Sequence, residues 1–235
     1  MAETIALVTG ANKGLGRETV RRLAAEGWTV LLGARDRARG EQAAAELGRG
    51  VVFVELDVTS EDSVAAAART VADRFGRLDV LVNNAGVGAP PTIPEDTTAD
   101  ELRAVFDVNV LGPVRVTRAF LPLLRKGTDP RVVMVSSGMG SIAVYADPRL
   151  AALAPPMLAY PASKAALNML TAQYARGLDG IRVNAVDPGY TATDLTGGAG
   201  FQTLEEGTDA IIRLASIGAD GPTGGFFDRN GDVAW

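Results

Sequence analysis

Ile5-Ala6-Leu7-Val8-Thr9-Gly10-Ala11-Asn12-Lys13-Gly14-Leu15-Gly16 begins as an apolar run and ends on a glycine-rich turn. The run Ile5–Val8 has no polar alternation, the pattern of a parallel strand covered on both faces. The residues after the turn, roughly 15–26, have amphipathic helical periodicity. Gly10 lets the chain leave the strand sharply, while Gly14 and Gly16 let backbone approach a pyrophosphate and let a helix pack on the sheet. An anion seated there meets free N–H groups at the positive end of the helix dipole, with Asn12, Lys13 and Leu15 in the same loop. The spacing is G-x-x-x-G-x-G and departs from the G-x-G-x-x-G dinucleotide fingerprint. On this stretch alone, an ordinary glycine-rich strand–helix turn remains an alternative.

The same alternation continues to the end of the chain. Apolar runs at Thr29–Leu32, Val51–Leu56, Val80–Val82, Val132–Val135 and Ile181–Val186, with a weaker one near Gly225–Phe227, predict further strands. Amphipathic stretches near 36–47, 60–75, 99–125, 160–178 and 206–217 predict the helices between them, and Thr98-x-x-Glu101 reads as a capping box. The fold class is therefore α/β, a Rossmann-type doubly wound parallel sheet of about seven strands with helices on both faces. No repeat or linker divides residues 1–235, so a single domain is expected, with a cofactor half over roughly 1–110 and a catalytic half over roughly 111–235. The irregular pieces 86–97, 138–159 and 188–204 each follow a strand and should gather at the carboxyl edge, where such sheets bind ligands.

Composition narrows the chemistry. There is no cysteine and no histidine, which excludes thiol nucleophiles, Ser-His-Asp hydrolysis and imidazole-ligated metal. A proton donor must come from Tyr, Lys, Asp or Glu. A net charge of −5 argues against nucleic acid and against an anionic membrane surface. No stretch reaches the length of a membrane span and no leader pattern precedes the first strand, so a cytoplasmic protein is expected. Tyr160 and Lys164, four apart at the start of a helical stretch, share one helix face. Asn109 falls in a helix interior, where Asn is a poor former.

Thr9-Gly10-x-x-x-Gly14-x-Gly16, Asn83-Asn84-Ala85-Gly86, Asn109, Ser137, Tyr160-x-x-x-Lys164 and Pro188-Gly189 occur in that order. Together they resemble the short-chain dehydrogenase/reductase family over essentially the whole chain. The resemblance implies a nicotinamide coenzyme and reduction of a ketone or aldehyde. Tyr160 would be the proton donor and Ser137 a donor to the substrate carbonyl. Asn109 would kink its helix and hold a water linked to Lys164, with a merely satisfied buried amide as the alternative. Lys164 and an oxidised nicotinamide would draw the phenol pKa down from about 10.

The family slot that selects NAD when acidic falls on Ala34, and Arg35 follows it. A guanidinium there can fork onto a 2′-phosphate, and Lys13 could reach the same group, so NADP(H) is expected. Asp36 would repel a phosphate and is read instead as the cap of the following helix. By the same resemblance Asp57 and Val58 contact adenine, and Asn84, Ala85 and Gly86 lie against the coenzyme ribose. Pro188, Gly189, Thr191 and Thr193 sit near the carboxamide and phosphates.

Ser137 and Tyr160 are 23 positions apart, a longer gap than in many family members. An insertion there, over Val144–Leu158, is similar to the carbonyl reductase branch. It leaves monomer or dimer undecided. It makes Met139, Tyr145, Met157 and Tyr190 candidate substrate lining. An alcohol dehydrogenase working oxidatively and a non-catalytic cofactor sensor are the rival readings.

Overall fold

In the computed structural model, which describes residues 3–147 and 156–235, seven parallel strands form one sheet in the order β3-β2-β1-β4-β5-β6-β7. The strands are β1 Ile5–Thr9, β2 Thr29–Ala34, β3 Val51–Glu55, β4 Val80–Asn83, β5 Arg131–Val135, β6 Arg182–Val186 and β7 Phe226–Phe227. All seven expected strands are present, each within two residues of its predicted bounds. The strand order reverses direction between β1 and β4, and this switch point opens a crevice beyond their carboxyl ends.

Alternate residues of each strand feed two separate cores. Leu7, Leu81, Val132 and Met134 point to one face, where α3 (Glu61–Phe75), α5 (Gly112–Leu124) and α7 (Ala159–Gly177) cover them. Ala6, Val8, Val80, Val82 and Val133 point to the other, under α1 (Gly14–Ala25), α2 (Arg37–Leu47) and α8 (Leu204–Ala215). Burial on both faces explains the unbroken apolar runs.

Helix boundaries follow local chemistry. Ser60 caps α3, and capping boxes at Thr98/Glu101 and Thr203/Glu206 open α4 (Ala99–Phe106) and α8. The last of these starts two residues before the sequence pattern does. The stretch 99–125, predicted as one helix, is two helices separated by a π-helical turn, Asp107–Leu111. A short α6, Ile142–Ala146, was not expected. No helix among the described residues is long and apolar enough to cross a membrane.

Candidate active site

The glycine turn is held by side chains that lie elsewhere in the chain. Thr9 Oγ1 accepts from the N–H groups of Asn84 and Ala85 at 3.0 and 2.9 Å, while Asn84 Nδ2 donates to the Thr9 carbonyl at 2.8 Å. Gly10 has φ +62°, and a Cβ there would stand 2.9 Å from Ala85 Cα. At Gly16 a Cβ would meet Asn84 Nδ2 at 2.5 Å. Both glycines are thus required by close approach of β1 and β4 loops. Asn83, by contrast, is buried and donates to Thr117 Oγ1, bracing the sheet.

A cleft of about 670 Å3 runs over this turn. Gly10, Asn12, Lys13, Gly14, Leu15 and Gly16 form its floor, Asn84, Ala85 and Gly86 one wall, and Arg35, Asp57 and Val58 one end. Above Gly14, which has φ +56°, a Cβ would meet only Thr193 Cγ2, at 4.0 Å. This open cradle of backbone at a helix N-terminus fits a pyrophosphate. At the Arg35 end Asp36 accepts from Arg39 N–H at 3.0 Å and caps α2, as expected. That fold of the chain brings Arg39, unpredicted, beside Arg35 on the cleft, while Arg37 turns away to Glu41 and Glu55. Burial works against ionisation of Asp57, but bonds from Thr59 N–H and hydroxyl, with Arg35 and Arg115 near, hold it below the usual carboxylate range. Lys13 lines the cleft but pairs with Asp194 at 2.6 Å, so its charge is shared with a carboxylate on the opposite rim.

At the other end α7 brings Tyr160 and Lys164 to the cleft. Lys164 Nζ lies 5.6 Å from the Tyr160 ring centroid and donates to the Val135 carbonyl at 2.9 Å. Ser137, just past β5, accepts from Met139 N–H at 3.2 Å and is not among the residues lining the cleft, but its hydroxyl is close enough to the phenol to favour the phenolate. The neighbouring Ser136 faces inward and donates to Asn168 Oδ1 at 2.5 Å, and Asn168 in turn donates to the Gly140 carbonyl at 3.2 Å. Asn168 is one turn beyond Lys164, so one face of α7 carries the phenol, the ammonium and the clamp that holds the Ser137 turn. Asn109 is the centre of the π turn. A π turn inserts one residue into the ladder and swings this side chain inward.

The electrostatics differ from the expectation in one respect. Burial pushes the Tyr160 phenol up to about 12; the Ser137 hydroxyl opposes this and the Asp187 carboxylate adds to it. Burial pulls Lys164 down to about 8, against the pull of Asp187. Among the described residues, desolvation and Asp187 therefore outweigh the Ser137 hydroxyl, the one group that favours the phenolate.

Several expected residues sit elsewhere. Thr191 is buried and its hydroxyl donates to the Pro188 carbonyl at 3.0 Å, so it braces the turn; Pro188 and Thr193 line the cleft and Gly189 does not. Met139, Tyr145, Met157 and Tyr190 are not on the cleft wall. Met157 borders a separate small hollow with Pro90 and Leu158, and Tyr145 and Tyr190 are exposed. Much of the 144–158 insertion lies outside the described residues. Beyond Arg39, the cleft includes Thr59, Val87, Gly88 and Leu195, residues with no chemical signature in the sequence. Among the described residues no group of acidic side chains could hold a metal ion.

The family model described as short chain dehydrogenase matches residues 4–202. The chain is 37% identical to the short-chain dehydrogenase anuI of Penicillium roqueforti, over 93% of this chain and 91% of that one. It is 34% identical to a (+)-neomenthol dehydrogenase of Arabidopsis thaliana, over 95% of each. Among solved structures, NADPH-bound carbonyl reductase from chicken fatty liver superposes with a TM-score of 0.88 at 31% identity, covering 100% of both chains.

Proposed function

The chain belongs to the short-chain dehydrogenase family, and we propose that it reduces a ketone or aldehyde to an alcohol with NADPH, Tyr160 giving the proton. The observation that carries this reading is the cluster at the end of the cleft: a phenol with a serine hydroxyl beside it, one helical turn from a buried ammonium. The similar carbonyl reductase and neomenthol dehydrogenase support reduction or oxidation at a carbonyl carbon.

NADPH bound here would lie along Gly10–Gly16, with its adenosine toward Asp57 and Val58 and its 2′-phosphate between Arg35 and Arg39. When bound, the coenzyme supplies a hydride to the carbonyl carbon. The remaining work falls to the chain. Ser137 and Tyr160 hydroxyls hold the carbonyl oxygen and meet its growing negative charge. Tyr160 passes its proton to that oxygen, and a phenol raised to about 12 keeps that proton until an alkoxide forms. Lys164 then faces the phenolate that remains. Asn109 holds the 86–88 wall and the start of α7 in register.

NADPH oxidation measured against a panel of ketones, aldehydes and quinones, with NADH in parallel, tests the reading. Turnover with at least one carbonyl is expected, with a loss of roughly 100-fold or more in Tyr160→Phe. No turnover on any carbonyl, or full turnover in Tyr160→Phe, would overturn it.

A further inference from the structure

Asp187 lies against the cluster, and the reaction as described gives it no part. It stands directly after β6, where Val186 pairs in register with Val135 and Ser136 N–H donates to the Val186 carbonyl at 2.7 Å. This puts its side chain beside the Ser137 turn. Asp187 Oδ1 accepts from Gly189 N–H at 3.0 Å, and the carboxylate packs against the Gly138 backbone, whose N–H favours its charge. The fit at Gly138 is tight, since a Cβ there would stand 2.7 Å from Asp187 Oδ2. One carboxylate thus joins the serine-bearing turn to the Pro188-Gly189 turn. Its own main-chain N–H is tied to the Phe227 carbonyl at 2.8 Å.

We propose that Asp187 is a positioning residue, which locks the Ser137 turn to the Pro188-Gly189 turn and sets a fixed negative charge against the Tyr160–Lys164 pair. The groups facing it are Lys164 and Tyr160 from α7, Asp228 from beyond β7, and the two glycine N–H groups. Burial and Asp228 disfavour its charge, while the Gly189 and Gly138 N–H groups and the Lys164 ammonium favour it. A negative charge here raises the phenol's affinity for its proton and keeps Lys164 cationic, so in the reductive direction the phenol yields its proton only to a strong base such as an alkoxide. The proposal rests on the functional reading above only for that direction.

The test follows Tyr160 itself. With all four tyrosines replaced by difluorotyrosine, whose phenol titrates inside the range where the fold is stable, 19F NMR reads each ring, and Tyr160→Phe assigns the resonance. Without coenzyme, Asp187→Asn is expected to lower the Tyr160 midpoint by about one unit, as loss of a nearby like charge should. Asp187→Ser, smaller and also neutral, must move it the same way. Asp187→Glu, which keeps the charge, should stay near the parent protein. Neutral variants with an unmoved midpoint, or a Glu variant that shifts as far as Asn, would overturn the assignment. A shifted midpoint in a protein that reduces no carbonyl would leave Asp187 in this role and sink only the functional reading.

Discussion

Asn109 grips both sides of Val87: its Oδ1 accepts from the Val87 N–H and its Nδ2 donates to the Val87 carbonyl, each at 2.9 Å. The same Nδ2 reaches Ser163 Oγ at 3.1 Å, and Ser163 donates to the Tyr160 carbonyl at 2.7 Å. One buried amide therefore holds the cleft wall and the helix that carries the phenol. Asn109→Ala leaves backbone groups of Val87 without partners. A loss of about 2–3 kcal/mol is expected in urea unfolding, with weaker coenzyme binding by fluorescence titration. Unchanged stability and affinity would show that the grip is incidental.

Gly16 and Gly14 separate two reasons for glycine. At Gly16 a methyl would stand 2.5 Å from Asn84 Nδ2 and 2.7 Å from the Gly10 carbonyl, and neither can retreat without undoing the turn. Gly16→Ala should cost about 1–3 kcal/mol and abolish measurable coenzyme binding. At Gly14 the surroundings are open but φ is +56°, so Gly14→Ala should cost about 1 kcal/mol and leave much of the binding intact. Thermal unfolding with and without coenzyme distinguishes them. Equal losses in the two variants would refute the contact argument.

Arg35 and Arg39 line the same end of the cleft, which has no acidic residue closing β2. Each alanine variant is expected to raise KM for NADPH roughly tenfold or more while leaving KM for NADH near its starting value. Arg37→Ala, whose guanidinium faces Glu41 and Glu55, serves as the control and should change neither. Steady-state kinetics with both coenzymes decides the matter. A parallel rise for NADH would mean that the pair does not read the 2′-phosphate.

These cases also show what was legible in the chain. The strands were, because burial on both faces leaves short Val-, Ile- and Leu-rich runs whose length and regular alternation with helical stretches set them apart from buried helix. So was the glycine turn, since its spacing reports a close approach that only glycine allows. The π turn left a single trace, an Asn in an otherwise helical stretch, because extra residues in a helix do not alter its apolar periodicity enough to see. Arg39 reads as one of three alternating surface arginines; only the capping of α2 by Asp36 decides which of them face the cleft. Asp187 reads as a turn former before Pro-Gly. Its place beside Tyr160 depends on the β5–β6 register, a long-range pairing that no local pattern encodes.

Lys164 carries the clearest pH signature. Its ammonium is held at about 8 in the folded protein by burial, against 10.5 as the ordinary value. Between those values the unfolded chain binds a proton that the folded chain does not, so this group's contribution to stability rises with pH from about 8 to 10.5. Below pH 8 the burial cost is fully present, about 3 kcal/mol from the size of the shift. Lys164→Met removes that cost but orphans the Val135 carbonyl, which offsets part of the gain. The absolute change at pH 7 is thus a balance, but its pH dependence is not. Relative to the variant, the parent protein should gain about 2 kcal/mol between pH 7 and pH 10. Tyr160 contributes little to the comparison, because its shift from 10 to about 12 acts mainly above pH 10. Urea unfolding of the two proteins at pH 7, 8.5 and 10 measures the difference. A constant gap across that range would mean that Lys164 keeps its proton in the folded state as readily as in water.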